Sequence, residues 1–350
     1  MYGTREHLEG YLPSLAHTPP RMLILFQLDY LAFWCRHFCP VVVLPMHDQS
    51  RLSPDSALGS LREVGWISFS KSLHQRLGGL GLDSRYFQYA PDPDQYRPVR
   101  WGRTPRGYFW ERMPRDLDRT AVRAMARALG NLPVEVRSLP DVSLVQGSGE
   151  KIWKNRQDYL KELQKFHVYF APRKYEGIGM TFLEAMAMGM CVVAENAPTA
   201  NEYILSGRNG ILYGSQGGKL FLPVHRSPEE LCRLGMEARK TVRQVHDSWI
   251  RDRGQIAQVL HLTSKRFCRN RGDPNPALFH ASLEFGNEPG RFWAMVSGRG
   301  GQIWRSRDQE KRQARAKGWR GFLRQSWRHP RKTVLAGLQR LASADRGGSD

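Results

Sequence analysis

Residues 168–171, Val-Tyr-Phe-Ala, are continuously apolar. They run through Pro172 into a glycine-bearing loop, a helical stretch over 181–188 and a second apolar run over 191–194. Strands with no polar alternation are buried on both faces, and a helix joining two of them is the crossover of a parallel sheet. The same strand–helix rhythm recurs along the chain. Residues 21–46 read as a strand, a short helix and a strand that includes Val41, Val42, Val43 and Leu44. Trp66 to Ser70 opens a further strand, and the helical pattern after it stops at Gly78-Gly79. Residues 106–110 and 134–139 read as strands, and residues 119–129, 152–166 and 228–262 as helices, Asp118 preceding the first and Pro228 and Glu229 opening the last. Alternation of this kind demands an α/β fold with helices on both faces of parallel sheets.

A chain of 350 residues has room for two such cores. The segment Ala90-Pro91-Asp92-Pro93-Asp94 reads as an extended connection between them. The expected organisation is a domain over 1–98, a second over 99–265 and an irregular basic tail over 266–350.

Apolar residues make up 41% and charged residues 25% of the chain, which excludes wholesale disorder. The net charge of +20 favours anionic partners: nucleic acid, an anionic membrane surface or phosphorylated ligands. Half of that excess lies between residues 303 and 340, where twelve Arg or Lys face two acidic residues. Five cysteines at irregular spacing (Cys35, Cys39, Cys191, Cys232, Cys268) argue against a disulfide framework and for a reducing compartment. Cys35 and Cys39 have no companion pair to complete a zinc site and read as buried thiols. Residues 1–20 are too polar for a leader peptide, and the apolar run 22–46 is interrupted by Asp29, Arg36, His37 and Pro40, so it reads as core.

The chemistry concentrates in residues 175–189. Gly177 and Gly179 let the backbone approach a ligand, and the amides at the start of the following helix, with its dipole, suit a diphosphate. Glu176 stands in the loop and Glu184 about one turn into the helix. Two carboxylates do not belong on a diphosphate, but they accept hydrogen bonds strongly from hydroxyls. A diphosphate flanked by two hydroxyl-rich rings is a nucleotide sugar.

The stretch EGIGMTFLEAMAMGMCVVAENAPTANEYILSGRNGILY, from Glu176 to Tyr213, resembles the signature of retaining family 4 (group 1) glycosyltransferases of the GT-B fold. The resemblance implies two Rossmann-like parallel-sheet domains facing a cleft. It gives Glu176 the donor sugar and Glu184 the ribose, places the backbone of Gly177, Ile178, Gly179 and Met180 against the sugar, and places the amides of Met180, Thr181 and the residues up to Leu183 against the phosphates. Arg112 matches the family's diphosphate-binding Arg. The Lys expected five positions later is replaced by Leu117, and Arg115 is the substitute cation. Glu202 is expected to cap or hydrogen-bond near the sheet edge. The family needs no cofactor or essential metal beyond the nucleotide-diphospho-sugar itself.

The first 98 residues are fewer than the family's N-terminal, acceptor-side domain requires, so the resemblance implies an incomplete one. His47, at the end of a strand, is the candidate catalytic residue on the acceptor side, beside Asp48. Trp319, Phe322, Leu323 and Trp327 alternate with Arg320, Arg324 and Arg328 in the tail, a pattern that suits an amphipathic helix on an anionic membrane. The reading is a cytoplasmic transferase, peripheral on the inner membrane face, that moves a sugar from a nucleotide sugar to a glycan or lipid-linked acceptor. The rival is a truncated, non-catalytic nucleotide-sugar-binding protein. Nucleic acid is disfavoured as partner, and so is a nicotinamide-dependent activity, since no Gly-x-Gly-x-x-Gly with a following acid is present.

Overall fold

The computed structural model describes residues 18–138, 155–216, 219–221 and 224–267, and the chain divides into two compact units. The first unit opens with β1 (Leu23–Phe26), a 3₁₀ turn (Asp29–Leu31) and α1 (Ala32–Cys35). It continues through β2 (Val41–Leu44), α2 (His47–Ser50), α3 (Asp55–Gly59), β3 (Gly65–Ser68), α4 (Lys71–Gly79) and β4 (Ser84–Tyr86). The four strands lie in the order β1-β2-β3-β4, all parallel, with Leu23 opposite Val41 and Val43 opposite Trp66. Val41, Val42 and Val43 are buried on both faces, as their unbroken apolar run requires. Cys35 and Cys39 are buried free thiols.

The second unit takes in residues 69–72 and 87–254. Its elements are β5 (Gly107–Glu111), α5 (Arg119–Ala128), β6 (Val134–Ser138), α6 (Arg156–Leu163), β7 (Val168–Phe170), α7 (Met180–Ala187), β8 (Cys191–Glu195), α8 (Ala200–Tyr203), β9 (Ile211–Gln216), β10 (Lys219–Phe221) and α9 (Pro228–Asp252). The strand order is β10-β9-β8-β7-β5-β6, parallel except for the antiparallel β9–β10 edge. Successive residues of the central strands enter two separate cores. Tyr108, Tyr169 and Val192 pack with α6 and α7, whereas Phe109, Phe170 and Val193 pack with α5. This is the two-residue period of a sheet covered on both faces.

Helix starts follow local chemistry. The Asp118 side chain accepts from the Ala121 amide at 2.7 Å, and Asn155 accepts from Asp158 at 3.0 Å. Asn155 therefore starts α6 at Arg156, inside the stretch 152–166 expected to be helical, of which residues 152–154 lie outside the described residues. Residues 228–262, expected to form one helix, are two. Helix α9 ends at Asp252, Gly254 interrupts the pattern, and α10 (Gln255–Arg266) belongs to the first unit. There α10 lies so close to β3 that a Cβ on Gly65 would stand 2.2 Å from Thr263 Oγ1. After Gly210 the chain enters β9, where Ile211 and Leu212 pair with Val193 and Ala194.

Candidate functional site

Parallel strands deliver their carboxyl ends to one edge of a sheet, and the loops that leave that edge are where such folds bind ligands. In the second unit β5 and β7 are neighbours, with Phe109 opposite Phe170. Residues 112–117 and 172–179 therefore leave the sheet side by side. The Lys174 amide donates to Asp116 Oδ2 at 3.3 Å and ties the two loops together.

The loop after β7 reaches α7 through Gly179, whose φ of +83° lies in the left-handed region. A Cβ at this position would stand 1.9 Å from a ring carbon of the fully buried Phe182. Only glycine meets both demands. Gly179 is the N-cap, and it offers no side chain to the first turn. The amides of Met180, Thr181 and Phe182 make no hydrogen bond among the described residues, while the Leu183 amide already donates to Gly179 O at 3.0 Å. Leu183, expected to lend its amide to the phosphates, is thus committed to the helix, and its side chain lies in the core. Three free amides and the positive end of the helix dipole remain for an anion. Met180 is exposed, and Gly177 and Ile178 stand in the loop just before it.

Glu176 lies in that loop, its side chain 12% exposed, paired with Arg173 at 3.4 Å. Its carbonyl accepts from Thr199 Oγ1 at 2.7 Å. Thr199 is buried and holds φ 77°, ψ −57°, a costly conformation for a β-branched residue. The strained turn after β8 thereby fixes the backbone of Glu176.

Glu184 faces the core between α6, α7 and the segment around Tyr96. It is 5% exposed, yet it receives Arg156 at 2.6 Å (Nη2) and 3.1 Å (Nε) and the Tyr96 hydroxyl at 3.4 Å, all on Oε1. Burial pushes its carboxyl above the ordinary value, and the Arg156 guanidinium opposes that rise. Tyr169, at the centre of β7, feels the charge of both Glu176 and Glu184, and burial pushes its hydroxyl up to about 12. Glu176 thus stands in the loop that leads into α7, and Glu184 is the fifth residue of that helix.

Arg112 and Arg115 are exposed and make no ion pair among the described residues; Arg112 lies 5.2 Å over the Trp110 ring. Glu195, unassigned from sequence, accepts Lys174 Nζ at 2.5 Å and also Ser215 Oγ. Glu202 accepts from Ser70 Oγ at 2.9 Å and from the amides of Lys71 and Ser72 at 2.6 and 3.2 Å, the capping role expected of it. His47 opens α2 in the first unit and is buried. Among the described residues no group of three His, Cys, Asp or Glu is placed to hold a metal ion, and no helix is long and apolar enough to cross a membrane. The tail over 303–350, with its basic amphipathic pattern, lies outside the described residues.

Sequence reasoning did not find Arg156, Tyr96, Arg173, Lys174 or Thr199. Arg173 stands three positions from Glu176, but the others lie far in sequence from their partners; only the fold brings residues 28 and 88 positions apart onto Glu184.

Residues 108–219 match the family model described as "Glycosyl transferases group 1". Among solved structures, the chain is similar to Anabaena Alr3699/HepE in complex with UDP and glucose, at 14% identity and a TM-score of 0.52, covering 74% of this chain and 83% of that one. It is also similar to TarM, at 12% identity and a TM-score of 0.50, covering 68% of this chain and 54% of that one. At such identities the likeness is one of fold. No curated protein matches the chain.

Proposed function

Since residues 108–219 are a group 1 glycosyltransferase domain in a chain of GT-B architecture, we propose that the protein transfers a sugar from a nucleotide-diphospho-sugar to a hydroxyl of a glycan or lipid-linked acceptor, with retention of configuration. One observation carries this reading: the left-handed Gly179 leaves three amides at the start of α7 without a hydrogen bond among the described residues, with Glu176 before them in the chain and Glu184 after them.

The diphosphate sits on the amides of Met180, Thr181 and Phe182, with Arg112 and Arg115 as the cations of the neighbouring loop. Glu184 accepts from the ribose hydroxyls and Glu176 from the donor sugar. During transfer the bond from the anomeric carbon to the diphosphate is exchanged for one to the acceptor oxygen, negative charge builds up on the departing diphosphate, and the acceptor's hydroxyl proton passes to that diphosphate. Preorganised amides and a helix dipole stabilise that charge without reorganising. The Arg173 pair and the Thr199 hydrogen bond hold Glu176 in one place, which the positioning of a reacting sugar requires. His47 is the proposed acceptor-side residue, and the basic tail the proposed contact with an anionic membrane.

The test is transfer or hydrolysis from a panel of nucleotide sugars. Glu176→Ala should lower turnover by about a hundredfold or more while leaving nucleoside diphosphate affinity within a few-fold. Tight nucleotide binding with no turnover in the presence of acceptor extracts would instead identify a binding protein. A chain that binds no nucleotide at all would remove the donor site itself.

A further inference from the structure

Glu184 is a carboxylate in an apolar core, and its stated task, accepting from ribose hydroxyls, needs it ionised. A protonated carboxyl spends one oxygen as a donor and is the weaker acceptor. The groups around it are few. Arg156 and Tyr159 come from α6, Tyr169 from β7, and Tyr89 and Tyr96 from the segment that precedes β5. From α9, Arg239 reaches the carboxyl end of α7, donating to Ala187 O and to Tyr96 O. The tyrosines are all shifted upward by burial, Tyr96 and Tyr169 to about 12, so they stay neutral wherever the protein is folded. Among the described residues Arg156 is the cation bonded to the carboxylate. It makes two hydrogen bonds to Oε1, donates to the Tyr96 hydroxyl at 2.6 Å and lies 5.6 Å over the Tyr96 ring. Among the described residues every side-chain hydrogen bond to Glu184 ends on Oε1, and none ends on Oε2.

We propose that Arg156 is a positioning residue: clamped against Tyr96, its guanidinium holds Glu184 as an anion with Oε2 turned to the donor's ribose. This rests on the donor-site reading above, and two separable measurements test it. In Arg156→Met the buried carboxyl keeps its desolvation and loses its counter-charge, so it takes up a proton at a higher pH than in the wild type. Affinity for UDP, GDP or ADP, measured by calorimetry on the full chain, should then fall at least about tenfold at the acid end of a pH series and recover as the pH rises. Stability runs the opposite way. A carboxyl raised in the folded state binds more protons there than in the unfolded chain, so the variant's stability to urea should fall as pH rises through the same window. The wild type should be flatter in both, and Arg156→Lys should restore both profiles.

Equal loss of affinity at every pH, or no rescue by lysine, would mean that Arg156 touches the ligand or merely packs, and overturns the proposal. A flat stability profile does the same. If Arg156→Met does not fold, Arg156→Met combined with Glu184→Gln should, because no charge is then left buried; failure of the double variant also overturns it. A wild type that binds no nucleotide sinks the donor reading alone, since the urea series still reports on the Arg156–Glu184 pair.

Discussion

Gly179 is the residue on which the candidate site turns. A side chain there meets a left-handed backbone and a phenyl ring at once. Gly179→Ala is expected to cost about 2–3 kcal/mol in urea denaturation, from backbone strain and overpacking together. The amides of the first turn then move, so nucleoside diphosphate affinity should fall by about tenfold or more; unchanged affinity would mean that these amides do not bind it. Both glycines and both glutamates were legible in the sequence, because loop-to-helix chemistry is local. Thr199 was not. In the segment Ala197-Pro198-Thr199-Ala200 nothing announces a positive φ at a threonine, and its purpose is visible only from the carbonyl of Glu176, 23 residues earlier.

At the level of elements, strands and helices mostly fell where apolar runs and caps put them. The clearest departure was the end of α9, where an amphipathic pattern continues across Arg253-Gly254 while the chain passes from one unit to the other. Periodicity records which residues are buried, not against which body. The start of α9 is better specified. Ser227 and Glu230 form a reciprocal capping box, at 3.2 Å from the Glu230 amide to Ser227 Oγ and 2.9 Å from the Ser227 amide to Glu230 Oε2. Ser227→Ala should lower stability by about 1 kcal/mol, read as a shift of the urea midpoint with an unchanged slope. No shift would mean that the first turn frays freely and that Leu231 and Leu234 alone anchor the helix.

Across the whole molecule, acid stability leans on a pair outside the candidate site. Glu111, at the end of β5, accepts from Arg119 through the backbone at 2.9 Å and through the guanidinium at 2.5–3.2 Å, and from Ser138 at 2.7 Å. The Arg119 guanidinium holds its carboxyl down at about 2, below the ordinary 4.5. A depressed carboxyl contributes stability that is complete above its unfolded value and is lost as pH falls through its folded one. Half of the Arg119 side chain is exposed, so solvent screens the pair. Glu111→Gln should weaken the protein at neutral pH and flatten its stability between about pH 4.5 and 2. An acid limb as steep as that of the wild type would place the titrating group elsewhere.

What the chain declares by itself is what neighbouring residues can enforce on one another: buried strands from unbroken apolar runs, helix starts from caps, and a phosphate-sized nest from Gly-x-Gly before a helix. Tertiary structure decided the rest. It set Arg156 and Tyr96 on Glu184, Lys174 on Glu195 and Thr199 on Glu176, and it took the Leu183 amide back into the helix. The reason is physical. A buried charge must find its partner wherever folding brings one, and desolvation acts on a position in space, which no local spacing encodes.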